Sequence, residues 1–234
     1  MNSELIIKDS KTRKLVKKKY NGTIAPYNGE IKLTENYIYT TKLNIDTDVL
    51  KSSCDKMYEI VKENFSENKQ HYFVGQTTIT TKLYSSYNLF LYPLPEFDKL
   101  FKEIRSIFFS LNALNTNGKP ENVQYYMQSW LNYYNKGDFI DWHAHWSPEK
   151  KTWHGFYCLD CEPSFTSYRI PSKREIINVT SEKNLIVISK SDGDKHKSSE
   201  WLDESRPRIT IAFDIVPMEF IDSSVYYLNH WIPL

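Results

Sequence analysis

Several things are scarce in this chain, and each scarcity excludes a class. Glycine occurs seven times in 234 residues, which excludes collagen-like and glycine-rich low-complexity sequences. Three cysteines, Cys54, Cys158 and Cys161, are too few for a disulfide framework. No run approaches the ~18 apolar residues of a membrane span. The opening Met-Asn-Ser-Glu-Leu-Ile-Ile-Lys has no apolar stretch behind a basic one, as a secretory leader would. An excess of one charge is also missing: 30 Lys+Arg face 29 Asp+Glu, for a formal net charge of +1. Binding to a polyanion through bulk charge is therefore not expected, which leaves only a local basic groove. The expectation is a soluble, cytoplasmic protein with no membrane partner, and nucleic acid is a disfavoured partner.

Arginine is scarce as well, with six against 24 lysines. Together with abundant Asn, Ile and Tyr, this reads as the AT-rich coding bias of many phages and small-genome bacteria. An arginine retained in such a chain is more often needed as an arginine.

Aromatic residues make up 15% of the chain and hydrophobic residues 40%, enough to bury a core and to exclude intrinsic disorder. Residues 8 to 19 carry a basic run that reads as a solvated strand or arm. The β-branched stretch Ile38 to Ile45 predicts a strand. Asp48 can cap a helix running to Phe65, with Leu50, Cys54, Met57, Ile60 and Val61 at helical spacing. After Pro93-Leu94-Pro95, the residues Phe97, Leu100, Phe101, Ile104, Ile107, Phe108 and Leu111 form a continuous apolar stripe. It predicts a second helix lying across one face of a sheet. Beyond Pro120 short β-prone runs alternate with turns: Val123 to Tyr134, Phe139 to Trp146, His154 to Leu159, Phe165 to Ile170, Glu175 to Val179, Leu185 to Ser189 and Arg208 to Val216. This spacing indicates a sandwich or barrel. The chain reads as one α+β domain, mainly β. Residues 1–120 form the supporting half, 121–217 the barrel core and 218–234 a tail.

Six histidines are present: His71, His143, His145, His154, His196 and His230. In Asp141-Trp142-His143-Ala144-His145-Trp146, strand geometry puts His143 and His145 on one face, with Cβ atoms roughly 6–7 Å apart. They can converge on one small ion while Trp142 and Trp146 point away. His196 follows the strand Leu185 to Ser189 and the turn Ser191-Asp192-Gly193-Asp194. Twelve residues later Arg208 opens the strand Arg-Ile-Thr-Ile-Ala-Phe-Asp-Ile.

Together these segments carry a resemblance. Tyr134-Asn-Lys-Gly137-Asp-Phe139-Ile-Asp-Trp-His143-Ala-His145 resembles the "Tyr-x-x-Gly-x-Phe…His-x-Asp" segment of Fe(II)/2-oxoglutarate-dependent oxygenases. Gly193-Asp-Lys-His196 with Arg206-Pro-Arg208-Ile-Thr-Ile-Ala-Phe resembles their distal-histidine and 2-oxoglutarate-arginine segment. It is most similar to a prolyl-hydroxylase-like subgroup of marine bacteria and phages with His-x-His in place of His-x-Asp. The resemblance spans about Val123 to Pro217. It implies a double-stranded β-helix, a jelly-roll or cupin-like barrel with supporting N-terminal helices, using Fe(II), the cosubstrate 2-oxoglutarate and O2. The implied metal ligands are His143, His145 and His196. The implied cosubstrate contacts are Arg208 and Thr210, with Tyr134 and Tyr157 as further candidates. A guanidinium suits the cosubstrate carboxylate because it binds bidentately and stays charged.

Two departures matter. His145 stands where the family has a carboxylate. It is either the third ligand, or Asp141 supplies the carboxylate, or iron is held by two protein ligands or by none. Cys158 stands after Tyr157 where relatives commonly have a second tyrosine. Cys158-Leu-Asp-Cys161 lacks the second pair of a zinc site, and at positions three apart on a strand its thiols would face opposite ways. His154 and Trp153, and Trp201 after His196, are candidate substrate contacts. Trp130, Trp142, Trp146 and Trp153 crowd the same region as barrel packing or as an aromatic-lined mouth. His71 and His230 have no partner at ligand spacing. The implied reaction is oxidation of a small-molecule or protein substrate with release of succinate and CO2. The alternatives are a three-histidine iron oxygenase without 2-oxoglutarate and a non-catalytic jelly-roll binding module.

Overall fold

A computed structural model describes residues 3–8, 15–20, 27–35, 38–65, 79–115, 123–145, 151–170, 175–190, 195–221 and 230–234. His71, Trp146 and the turn 191–194 lie outside these residues, as do Lys11, Arg13 and Lys14 of the basic run. The chain begins with β1 (Ser3–Lys8) and β2 (Leu15–Tyr20), which pair antiparallel as a two-stranded ribbon. Next come β3 (Lys32–Glu35), β4 (Ile38–Lys42), α1 (Thr47–Asn64), the single turn α2 (Ile79–Lys82) and α3 (Phe97–Asn115). The strands β5 (Tyr125–Tyr134), β6 (Trp153–Asp160), β7 (Phe165–Ile170), β8 (Glu175–Thr180), β9 (Leu185–Lys190), β10 (Lys195–Ser198), β11 (Arg208–Pro217) and β12 (Ile232–Pro233) complete it. Among the described residues no helix is long and apolar enough to cross a membrane.

Two antiparallel sheets dominate. Seven strands run in the order β12-β5-β11-β6-β9-β4-β3, and three in the order β10-β7-β8. The result is a mixed α+β fold of the double-stranded β-helix type, carrying its helices in the N-terminal half. Period-two alternation sorts each strand of the large sheet between two environments. One face of β5, β6 and β11 sends Trp130, Asn132, Tyr134, His154, Phe156, Arg208, Thr210 and Ala212 into a cavity shared with Thr166 of β7 and His196 and Ser198 of β10.

The other face meets the helices. Buried Leu100, Ile104, Ile107, Phe108 and Leu111 form the expected stripe of α3. Phe108 packs edge-on against Tyr125 and Trp153, with centroids 4.9 and 6.1 Å apart. Helix α1 buries Leu50, Cys54, Met57 and Val61. It starts two residues earlier than the sequence predicts, because Asp46, not Asp48, is the cap. Its carboxylate accepts from the backbone N–H groups of Asp48 and Val49 at 3.2 and 3.1 Å, satisfying donors that the first turn leaves over.

Two local expectations are corrected. The segment 139–145 forms no strand; beside β10 it makes one isolated antiparallel bridge, His143 to His196, and one further backbone hydrogen bond, from Ser198 N to the Ile140 carbonyl. Side-chain oxygens take the N–H groups that a ladder would need: Ile140 N donates to Ser198 Oγ and Trp142 N to Asp141 Oδ1. The second correction concerns the thiols. Cys158 pairs with Thr210 but Asp160 pairs with Ile209, a register shift that adds a residue to β6. The bulge resets the alternation, so buried Cys158 and Cys161 share a hydrogen bond instead of facing apart.

Candidate metal centre

Backbone register brings the histidines together from three places. His143 is tied to His196 by reciprocal backbone hydrogen bonds of 3.0 and 2.9 Å, and their ring centroids are 4.2 Å apart. His145 follows two residues later, with its ring 5.2 Å from both. One nitrogen from each of His143, His145 and His196 lies within 4.8 Å of the others, close enough to hold one metal ion. Trp142 points elsewhere, where Arg169 and Lys197 lie over its ring.

A fourth imidazole shares the cavity. His154 stacks on His145 with centroids 3.9 Å apart, and lies 4.5 Å from His196. Behind this pair stands Asp214, which with His145 and His154 forms a second close group of potential ligands. In the sequence Asp141 is the alternative to His145, as the source of a carboxylate ligand. In the structure Asp141 is occupied by its own segment: its carboxylate accepts from Trp142 N, and its carbonyl lies 2.7 Å from His143 Nδ1. Asp214 was missed, although it continues the alternation Arg208, Thr210, Ala212 by one step, and that alternation was the available signal.

The electrostatics follow from burial. Desolvation, with His145 adding repulsion, brings His143 down to about 3. The same two causes in the same order bring His154 down to about 4. Burial opposes ionisation of Asp214, yet the charge and hydrogen bonds of His145 and His154 prevail and hold its carboxyl well below the usual range. Neutral imidazoles with available lone pairs are the state that binds metal. Imidazole suits several first-row metals, iron among them. The Nε2 atoms of His145 and His154 are buried with no hydrogen-bond partner among the described residues, as expected of nitrogens that a metal would satisfy.

At the other end of the cavity lies Arg208, only 2% exposed. Its guanidinium stands over the ring of Tyr134, its cross-strand partner, at 5.0 Å. One Nη donates to the carbonyl of Ser199 at 3.2 Å, and Nε has no partner. Among the described residues no carboxylate pairs with it. Thr210 Oγ1 accepts from Asn132, which in turn accepts from Thr81. Burial raises the Tyr134 phenol, while Arg208 and the hydroxyls of Ser198 and Thr210 pull the other way.

The cavity thus brings together His143, His145, His196, His154, Arg208, Thr210 and Tyr134. It does not include Tyr157, Trp153 or Trp201. Tyr157 and Trp153 occupy the opposite phase of β6: Tyr157 donates to Asn184 Oδ1, and Trp153 packs between Tyr39 and Phe108. Trp201 is buried with its indole N–H on the Arg206 carbonyl and the Arg206 guanidinium over its ring. His230 lies elsewhere, its carbonyl accepting from Asn88. Counting its open mouth, the cavity encloses about 410 Å³.

No protein-family profile matches the sequence, and no curated protein matches it. Solved structures do match the fold. A prolyl-4-hydroxylase from Pseudomonas putida superposes with a TM-score of 0.52 at 10% identity, over 77% of this chain and 92% of that one. AviO1 from Streptomyces viridochromogenes gives 0.52 at 13% identity, over 77% and 90%. SnoK, a non-heme alpha-ketoglutarate-dependent carbocyclase from nogalamycin biosynthesis, gives 0.50 at 13% identity, over 77% and 79%. At these identities the likeness is one of fold: the chain has the double-stranded β-helix architecture of these proteins, with a cluster of histidines and an aspartate able to hold a metal.

Proposed function

We propose that this chain is a non-haem Fe(II)- and 2-oxoglutarate-dependent dioxygenase that hydroxylates an organic substrate and releases succinate and CO2. One observation carries the reading: a three-histidine cluster and a buried arginine without a carboxylate partner among the described residues line the same cavity. A buried guanidinium is costly unless an anion pairs with it. A dicarboxylate reaching from the metal to Arg208 would supply that anion. The likeness to the bacterial prolyl-4-hydroxylase and to SnoK supports the same reading.

In this proposal His143, His145 and His196 hold the iron, leaving positions open for cosubstrate and O2. Bound there, iron with 2-oxoglutarate supplies the oxidising chemistry, and the protein's part is to bind, orient and exclude. Arg208 takes the distal carboxylate in a charge-assisted pair, and Thr210 and Tyr134 offer hydroxyls beside it. Trp130 and Phe156 give the cavity apolar wall that keeps water from the reacting end.

Adding Fe(II) and 2-oxoglutarate without air tests this. A visible charge-transfer band, followed by succinate on admitting O2, is expected. No band and no succinate would overturn it. The absence of a carboxylate from the histidine triad favours one second reading, a three-histidine iron oxygenase independent of 2-oxoglutarate. Substrate oxidation without 2-oxoglutarate would select it.

A further inference from the structure

The carboxylate of this centre sits behind the imidazoles. Asp214 and His154 are direct cross-strand partners on β11 and β6. His154 Nδ1 lies 3.3 Å from Asp214 Oδ1, and His145 Nδ1 lies 3.0 and 3.1 Å from the two carboxylate oxygens. Facing a carboxylate at these distances, an imidazole nitrogen is satisfied as the donor, so the geometry points to a proton on each Nδ1. A neutral ring protonated at Nδ1 has its lone pair at Nε2. Both Nε2 atoms are buried and unpartnered among the described residues. The two rings are stacked with 20° between their planes, so the lone pairs emerge side by side. His154 is only 4% exposed. Two adjacent buried acceptors are expensive to leave unsatisfied; a cation in the cavity relieves both.

We propose that Asp214 is the positioning residue of the centre. Standing one layer behind the ring that occupies the carboxylate position, it holds His145 and His154 as a pair with both Nε2 atoms toward the metal. It thereby returns to the centre the negative charge that an all-imidazole ligand set lacks. The inference rests on the reading that His145 is a metal ligand, but not on the identity of the cosubstrate. A carboxylate accepting from a ligating histidine fixes its tautomer and raises its basicity, and losing such a partner costs roughly 10–100-fold in metal affinity. Here one carboxylate serves two rings, so a single substitution should release both. His143 is held separately, its Nδ1 lying 2.7 Å from the Asp141 carbonyl, and should be indifferent to the change.

The test combines tautomer and affinity. In metal-free wild-type protein, nitrogen-detected NMR of the histidine rings should show His145 and His154 protonated at Nδ1. In Asp214→Asn, both signatures should change while that of His143 stays. Titration with Co(II) as the probe should show affinity lower by roughly 10–100-fold in a variant that still unfolds cooperatively. Should that variant not fold, the wild-type tautomers decide alone. Nε2 protonation of either ring in the wild type, or unchanged tautomers and affinity in a folded Asp214→Asn, would overturn the inference. A protein with these tautomers that never binds 2-oxoglutarate would instead overturn the cosubstrate reading and leave Asp214 in its role.

Discussion

A Cβ atom on Gly155 would lie 2.4 Å from Cζ of Phe213. The same atom would lie 2.6 Å from the carbonyl oxygen of Val187, so the neighbouring strand closes off the other escape. Gly155 and Phe213 are cross-strand partners, and each is flanked by a member of the His154–Asp214 pair. A missing side chain at 155 is what lets the phenyl ring lie over β6 while β9 stays at ladder distance.

Gly155→Ala is therefore expected to destabilise the protein by about 1–3 kcal/mol, the usual cost of overpacking. Because a shift of Phe213 moves Asp214 with it, Co(II) affinity should fall in the same variant. Urea unfolding and metal titration check the two halves. A stable variant with weakened metal binding is not expected, since both effects come from the same displaced ring.

Alanine at His143, His145 or His196 should reduce metal content to a small fraction of the wild-type value, as measured on purified protein by elemental analysis. His230→Ala, in a residue whose ring is outside the cavity, should retain it.

Arg208→Ala should lose 2-oxoglutarate binding by about 10–100-fold, since a hydrogen bond to a charged group is worth roughly 1.5–3 kcal/mol. Metal binding should persist, because the arginine is not among the ligating groups. Calorimetric titration of each ligand separately would show whether the two losses are uncoupled. Arg208→Lys should recover only part of the binding, since a single ammonium does not reproduce the planar fork.

The depressed histidines predict an acid dependence of the metal-free protein. His143 and His154 titrate at about 3 and about 4 in the fold and near ~6.5 when unfolded. Between these limits the unfolded chain binds more protons, so stability rises with pH. It should be fully present above ~6.5 and be lost progressively as pH falls toward 4 and then 3, at up to about 1.4 kcal/mol per pH unit for each group. Asp214, also held low, adds to the loss only at the acid end. Thermal melts across pH 4 to 7 would show the decline; a flat profile would contradict the burial of these rings.

Asp46→Ala should cost about 1 kcal/mol through the lost cap of α1, with metal affinity unchanged. Denaturant midpoints and metal titration measure the two separately.

Much of this architecture is legible in the sequence because its periodicities are clean. The stripe of α3 and the alternation of β5, β6, β7, β9 and β11 predict elements within a residue or two of those observed. Strand spacing and the family resemblance single out His143, His145, His196, Arg208 and Thr210, and the fold brings all five to one cavity. What could not be read this way depends on departures from period two. Cys158 and Cys161 meet only because a bulge shifts the register between Ile209 and Thr210, and no residue type in that stretch announces it. His143 and His145 converge without a regular strand, held by the side chains of Ser198 and Asp141. The resemblance offers Tyr157 as a cosubstrate hydroxyl, and Trp153 precedes the strand beside His154, but the alternation of β6 leaves both outside the cavity and gives it His154. Asp214 went unread because an acidic residue within an apolar strand has no local motif; its meaning depends on pairing with β6.

The bridge between His143 and His196 has a mechanical consequence. These two residues already join the irregular segment to the three-stranded sheet through their backbones; His145 lies on the same segment, and His154 reaches the same point from the seven-stranded sheet. An ion held among them would act as a rivet between the sheets, fastening side chains where the main chain is joined by a few hydrogen bonds and no regular ladder. Filling the centre should then stiffen β10 and its neighbours β7 and β8 more than any other part of the molecule, and amide exchange should slow there first.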